Sequence, residues 1–192
     1  RSYPVTFLEE TSAASPYVAR NLGLEHAKGD VLAFTDATCV ACETWLLEGV
    51  KGLTENDADL VGGEITFELG RKPSAAKICD SLVYVRMKHS VLRKGYGKGG
   101  NLFFKKTVFD ALGPWPERRS GGDVAHTRRA TEAGYKMVYA ERASVRYPAR
   151  EFRQLLKKTF RVGRGLPYTK ELQSRAALIR SILRTIAFLP FP

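Results

Sequence analysis

Two acidic residues stand where a carboxylate could do chemistry, and the first is Asp36. It follows the short apolar run 31–34, which is typical of a buried strand. Ligands bind at the carboxyl ends of strands in open α/β sheets. Asp36 is therefore a candidate ligand for a divalent cation that carries a phosphate. Alternatively, Asp36 only caps the turn before the next helix, and the local pattern leaves both interpretations open.

The second acid, Asp123, follows the glycine pair Gly121-Gly122. The glycines let the chain bend so that Asp123 enters the first turn of a helix. That end of a helix carries partial positive charge, which favours the ionised carboxylate needed to accept a proton. The alternative is a helix cap, which contributes about 1 kcal/mol. His126 lies one turn later and could contact Asp123. A surface histidine is the favoured interpretation.

Between the two acids lies a loop, residues 94–100, with four glycines and two lysines. Its backbone N–H groups and its charge could bind a diphosphate, whereas its composition alone is that of an ordinary loop. No G-K-[ST] closes it, and no G-x-G-x-x-G opens a helix after a strand, so neither a P-loop nor a dinucleotide site is predicted.

The elements that must position these residues alternate between strands and helices. Strands are predicted at 4–8, 31–34, 60–67, 102–104, 136–140 and 143–147. Helices are predicted at 15–28, 44–50, 74–93, 107–113, 123–133, 150–162 and 170–188. This alternation predicts an α/β fold with a mainly parallel sheet and helices on both faces. The glycine pair at 62–63 indicates a bulge.

Several blocks of the sequence together resemble a family 2 glycosyltransferase of the GT-A fold. The blocks are Ala19-Arg20-Asn21-Leu22-Gly23-Leu24, Ala27-Lys28-Gly29-Asp30, Phe34-Thr35-Asp36-Ala37-Thr38-Cys39, Trp45-Leu46, Gly99-Gly100-Asn101, Gly121-Gly122-Asp123 and Arg161-Val162-Gly163-Arg164-Gly165. The resemblance implies a GT-A-like domain over residues 1–148, incomplete at its N-terminus, and a basic helical extension over 149–192. It also implies an uncovered sheet edge, through which we expect weak stability or self-association.

The resemblance implies a donor site that binds a nucleotide-sugar, with Mg²⁺ or Mn²⁺ held by an Asp-x-Asp motif. Asp36 matches the first acid, whereas Thr38 replaces the second. Tyr147 stands where the family often has a histidine that completes the metal site. Because a hydroxyl is a weaker ligand for a hard cation than a carboxylate, we expect metal binding to be weak or absent.

The resemblance also implies the remaining roles. Asp123 matches the acid that activates the acceptor hydroxyl, and Gly122 replaces the acid that often precedes it. The residues implied to bind the donor and its diphosphate are Asp36, Thr38, Gly99, Gly100, Asn101, Arg161 and Arg164. For the two arginines, a solvated or membrane-facing charge is the alternative.

Composition restricts the class of protein. The 192 residues are 44% hydrophobic and 27% charged, which is typical of one globular domain. The three cysteines are too few for a disulfide framework, so a reducing compartment is favoured and Cys39-x-x-Cys42 is interpreted as coincidence. No run of roughly 18 uncharged apolar residues is present, so no membrane span is predicted.

The net charge of +11 is concentrated near the C-terminus, because residues 141–192 contain 12 Lys or Arg and 3 Glu. There the pattern predicts a helix with the apolar residues Ile179, Ile182, Leu183 and Ile186 on one face, flanked by Arg175, Arg180 and Arg184. This pattern favours an anionic membrane surface and a cytoplasmic protein, peripheral at the inner face of the membrane. The alternative is a helix that packs on the domain.

Three functions remain to be weighed. The first is an inverting glycosyltransferase with a nucleotide-sugar donor and a sugar, lipid or protein acceptor. The second is a degenerate GT-A-like module that binds without catalysis, favoured by Thr38, Gly122 and Tyr147. The third is a nucleic-acid binder, but no binding motif and no basic stripe with stacking aromatics supports it, so no nucleic acid is expected.

Overall fold

The computed structural model describes residues 4–11, 15–83 and 85–165. Helices in these ranges are α1 (Pro16–His26), α2 (Trp45–Thr54), α3 (Ala75–Val83), α4 (Met87–Lys94), α5 (Lys106–Leu112), α6 (Gly122–Glu132) and α7 (Phe152–Gly165). Strands are β1 (Val31–Thr35), β2 (Val40–Ala41), β3 (Leu60–Glu68), β4 (Asn101–Lys105) and β5 (Met137–Pro148). The predicted helix at 170–188 lies outside the described residues.

The strands form one mixed sheet in the order β1-β4-β3-β5-β2. Strand β4 is antiparallel to β1 and β3, and β2 is antiparallel to β5, whereas β3 and β5 are parallel. The α/β class is confirmed, but the prediction of a mainly parallel sheet is wrong. Two consecutive helices, α3 and α4, separate β3 from β4. After these helices the chain re-enters the sheet at the end where β3 finished, so β4 runs antiparallel to β3.

Helices cover both faces of the sheet, as predicted. Successive side chains of a strand point to opposite faces, and the neighbours Leu60 and Val61 accordingly enter different apolar clusters. Leu60 packs in the cluster that holds Met87 of α4 and Trp115. Val61 packs with Leu53 of α2 in the second cluster. Each face therefore has its own core.

A bulge lies where the sequence indicated one. The register between β3 and β5 shifts between Gly63 and Ile65. The two short strands predicted at 136–140 and 143–147 are one continuous strand, β5, which bends at this point. A β-carbon at Gly63 would overlap the Ala143 carbonyl and the Asn101 amide. Glycine is therefore required for Asn101 to fit between the strands.

Helix α1 begins as the sequence predicts. Ser15 is its N-cap and accepts a hydrogen bond from the Tyr17 amide at 3.3 Å, and Pro16 is its first residue. Proline suits this position because its missing N–H would be unpaired there anyway. The early start puts Tyr17 and Arg20 on the helix that faces the site.

Two other predictions are wrong. The single helix expected over 74–93 is two helices, α3 and α4, and β-branched Val83 and Val85 at the break are poor helix formers. Residues 4–11 form no strand, and Val5 and Phe7 are exposed. As a consequence, β1 is not the buried strand that the run 31–34 predicted. Among the described residues it is an edge strand that pairs only with β4, and within β1 only Leu32 is buried.

Candidate active site

A cavity of about 380 Å³ opens between α1, the residue after β1, the N-terminal end of α6, and α7. It brings together both acids that the sequence singled out, Asp36 and Asp123. The bases that line it are Arg20, Lys98, Arg128, Arg150, Lys158 and Arg161. Six bases against two acids make the cavity suitable for a polyanion.

Asp36 follows β1 directly and forms an ion pair with α1. Its Oδ1 lies 2.7 Å from Arg20 Nη2, and the Asp36 side chain is 41% exposed. Arg20 Nη2 also donates to the Gly99 carbonyl at 3.2 Å. The carboxylate at the end of the strand is thus fixed in direction yet accessible from the cavity.

Asp123 lies in the first turn of α6, as predicted, and accepts three hydrogen bonds. Tyr17 donates its hydroxyl to Oδ1 at 2.8 Å, and the Val124 amide donates to the same oxygen at 2.9 Å. The Gly99 amide donates to Oδ2 at 2.7 Å. Burial, followed by the charge of Asp123, raises the pKa of Tyr17, so its phenol stays a donor.

Gly99 connects the two acids, because its carbonyl accepts from Arg20 and its amide donates to Asp123. A β-carbon at Gly99 would lie 2.5 Å from Arg20 Nη1, so a side chain would displace the arginine. The next residue, Gly100, accepts from Thr35 Oγ1 at 3.0 Å and lies beside Asp36. The glycine-rich loop therefore lies between Asp36 and Asp123 and contacts the residues that hold both.

Asn101 has a buried structural position. Its side chain is completely buried, and Trp45 Nε1 donates to its Oδ1 at 2.8 Å. Its Nδ2 donates to the Glu64 and Ala143 carbonyls, each at 2.8 Å. These bonds tie β4 to β3, β5 and α2. The amide is thus fully engaged, and it acts on the site by fixing the strand that follows Gly100.

The residues predicted to hold a divalent cation do not fit one well. Asp36 is the one carboxylate of the motif and is already paired with Arg20, while Thr38 is exposed in the turn. Tyr147 is buried, and the Arg150 guanidinium lies over its ring at 4.5 Å. Within the described ranges, no group of three His, Cys, Asp or Glu residues could hold a metal ion.

A buried acid behind the cavity holds two of the bases that line it. Asp80 of α3 accepts from Lys158 Nζ at 2.8 Å and from Arg150 Nη1 at 3.2 Å. Burial lowers the pKa of Lys158 to about 8. Sequence reasoning missed this cluster. The sequence pattern that could have revealed it is the position of Asp80, a charged residue one turn after Ala76 on the buried face of α3. A charge on a buried face needs partners.

Arg161 and His126, which the sequence singled out, lie in different environments. Arg161 lies on α7 with an exposed side chain and lines the cavity. The Arg164 side chain lies outside the described part of the chain. His126 is not a surface histidine: it is 1% exposed and stacks on Phe109 with ring centroids 4.6 Å apart. Burial lowers its pKa to about 4.

Comparisons with known proteins agree with this fold. Residues 2–77 match the sequence model of glycosyl transferase family 2, and this segment contains Arg20, Asp36 and Thr38. The chain is therefore similar to the family 2 glycosyltransferases over this segment, and the predicted resemblance is confirmed. The GT-A fold is confirmed as well, since its structural neighbours are glycosyltransferases of that fold.

Among curated proteins, glycosyltransferase AglE of Haloferax volcanii is 37% identical over 189 residues, which cover 96% of this chain and 62% of AglE. The mannosyltransferase PcManGT of Pyrobaculum calidifontis, solved with GDP-Man and Mn²⁺, superposes with a TM-score of 0.59 and 24% identity over 84% of this chain and 44% of its own. TarS of S. aureus, solved with UDP-GlcNAc, superposes with a TM-score of 0.55 and 14% identity, over 95% of this chain and 64% of the TarS chain.

The chain thus spans less than two thirds of the length of each of these relatives. In the part of the chain that the structure describes, no helix is both long and apolar enough to cross a bilayer.

Proposed function

We propose that this chain transfers a sugar, with inversion, from a nucleotide-sugar donor to an acceptor hydroxyl on a sugar, lipid or protein. The observation that carries the proposal is the joining of Asp36 and Asp123 through Arg20 and Gly99 in one basic cavity. A diphosphate is the polyanion that such a cavity would accept, and PcManGT and TarS were solved with nucleotide-sugars.

In the proposed reaction, the acceptor oxygen attacks the anomeric carbon from the side opposite the diphosphate. The new carbon–oxygen bond forms as the bond to the diphosphate breaks, so the configuration inverts. Asp123 takes the hydroxyl proton as general base. The bases of the cavity stabilise the negative charge that develops on the leaving diphosphate.

The donor side of the proposed site comprises the residues named from the sequence: Asp36, Thr38, Gly99, Gly100, Asn101, Arg161 and Arg164. Asp36 and Gly100 meet the donor directly because both line the cavity. Asn101 acts through the position of β4. A divalent ion, if bound, would be held weakly by Asp36, because Thr38 supplies a hydroxyl in place of the second carboxylate of the motif.

The second candidate is a degenerate module that binds a nucleotide-sugar without turning it over. The observation that favours it is Asp123, whose two oxygens already accept three hydrogen bonds within the protein. The full-length protein, incubated with GDP- and UDP-linked sugars, separates the two candidates. Transfer or hydrolysis of a donor supports the enzyme, and binding without turnover supports the module.

We also propose that the protein is cytoplasmic and binds peripherally to an anionic membrane. Three large apolar side chains, Phe152, Leu156 and Phe160, are exposed along α7 at a spacing of four residues. Arg153 and Lys157 are exposed on the same helix. An apolar stripe flanked by bases is typical of a helix that lies in the membrane interface.

Two further proposals concern organisation. The boundary between a domain at 1–148 and an extension at 149–192 falls between the end of β5 and the start of α7. Self-association would use β1, whose outer edge has no strand partner among the described residues. Sedimentation at several protein concentrations tests the second proposal.

A further inference from the structure

The buried ion cluster behind the cavity is organised around Asp80. Its side chain is 0% exposed, and each of its two oxygens holds one cation. Oδ1 accepts from Lys158 Nζ, while Oδ2 accepts from the side chain and from the backbone amide of Arg150. A buried carboxylate with this set of partners is electrostatically satisfied.

Both cations are presented to the cavity in fixed directions. Arg150 is held on one side by Asp80 and on the other by the ring of Tyr147, over which its guanidinium lies at 4.5 Å. The Lys158 side chain is 10% exposed. Because both residues line the cavity, little reorganisation is needed when an anion arrives.

We propose that Asp80 is a positioning residue that holds Arg150 and Lys158 as a cation pair for the diphosphate of the donor. This inference rests on the proposed function and deepens it. Asp80 offsets one of the two positive charges, which lets both cations lie side by side in a largely buried wall. The remaining charge faces the cavity beside Arg161.

The same arrangement supplies positive charge on the side of the cavity where Tyr147 lies. Tyr147 offers an aromatic platform for Arg150 in place of a metal ligand. Binding of a nucleoside diphosphate should therefore persist when divalent ions are removed. Without divalent ions, binding of the nucleoside diphosphate should depend on Asp80 and Lys158.

The test measures binding of GDP and UDP to the full-length protein in EDTA. Asp80→Asn and Lys158→Met should each weaken binding about tenfold or more, as expected for loss of charge-assisted contacts. Glu151→Gln is the matched control, because Glu151 pairs with Lys77 at 3.0 Å between the same two segments but outside the cavity. It should leave affinity unchanged.

A pH series adds a readout that loss of folding alone would not produce. The charged groups that act on Lys158 are Asp80 of α3, Arg150 and Lys98. Arg161 is a further base on α7 that lines the same cavity. Lys158 loses its proton as pH rises through about 8, so nucleotide affinity should fall there. Lys158→Arg stays charged and should abolish that fall.

The following results of these binding measurements support or overturn the inference about Asp80. Wild-type binding in EDTA that Asp80→Asn weakens, with Glu151→Gln unchanged, supports the inference. If Asp80→Asn does not fold, wild-type affinity in Lys158→Met overturns it. Binding that appears only with Mn²⁺ overturns it while leaving the proposed function intact. No binding of either nucleotide under any condition overturns both.

Discussion

Asp36 Oδ1 lies 2.7 Å from Arg20 Nη2, so the one carboxylate of the expected metal motif is already neutralised by an arginine. A second carboxylate beside Asp36 would restore a net negative charge to the motif. We expect Thr38→Asp to tighten Mn²⁺ binding, because Thr38 is exposed in the same turn and carboxylates are preferred ligands for hard cations.

Isothermal titration of Mn²⁺ into the full-length protein measures this effect. Ala37→Asp is the matched control, since it adds the same charge at the middle position of the motif, where the family pattern has no ligand. We expect at least tenfold tighter binding for Thr38→Asp and little change for the control. Equal affinity in wild type and Thr38→Asp would show that the metal does not sit at Asp36.

His126 makes stability depend on pH. Burial lowers its pKa to about 4 from the ordinary 6.5, so at pH values between these two the unfolded chain binds more protons than the folded one. Stability should therefore be lost as pH falls from 6.5 to 4, by an amount on the order of 3 kcal/mol.

Urea denaturation of wild type and His126→Gln across this range measures that contribution. The variant should lose the corresponding part of the pH dependence. His26→Gln is the control, because His26 is exposed at the end of α1 and should behave like wild type. The same slope in wild type and His126→Gln would contradict the burial described for His126.

Asn101 should matter more for stability than for direct donor contact. Asn101→Ala leaves Trp45 Nε1 and the Glu64 and Ala143 carbonyls without their partner. Buried polar groups without partners are costly, so we expect a loss of about 2–4 kcal/mol in the free energy of unfolding.

Chemical denaturation checks this value. Asn56→Ala is the control, because Asn56 is exposed and its side-chain amide donates to the Gly52 carbonyl at 3.1 Å. The control should cost about 1 kcal/mol or less. A cost for Asn101→Ala no larger than that of the control would be evidence against the positioning role.

The membrane proposal predicts that the exposed face of α7 carries binding. Phe160→Ser should reduce flotation with anionic vesicles, because Phe160 is 68% exposed beside basic residues. Leu46→Ser on α2 is the control, since Leu46 is 57% exposed on a different helix. Equal flotation of both variants, or no salt-sensitive binding by wild type, would rule this face out.

Local signals in the sequence were sufficient for the elements that carry the two acids. The Ser15-Pro16 start of α1, the strand before Asp36 and the glycine pair before Asp123 all predicted what the structure contains. Each depends on residues within a few positions of one another. The match of residues 2–77 to the family model covers α1 and β1 but not α6, which carries Asp123.

Contacts between distant residues were beyond sequence reasoning. Asp80 meets Arg150 and Lys158 across 70 and 78 positions of the chain, and no local pattern records such a pairing. The direction of β4 was missed because it depends on the break between α3 and α4. The burial of His126 was missed because its partners, Phe109 and Trp115, come from other segments.

Single-turnover transfer by Asp123→Asn in the full-length protein is the most direct test of the proposed catalytic base. Asparagine can keep its oxygen toward the Gly99 amide and donate its NH₂ to the Tyr17 hydroxyl, losing only the bond from the Val124 amide, so the fold and donor binding should survive. It cannot accept the acceptor's proton. We predict donor affinity and stability close to wild type, with transfer slowed about 10²-fold or more. Transfer at a near wild-type rate would contradict the assignment of Asp123.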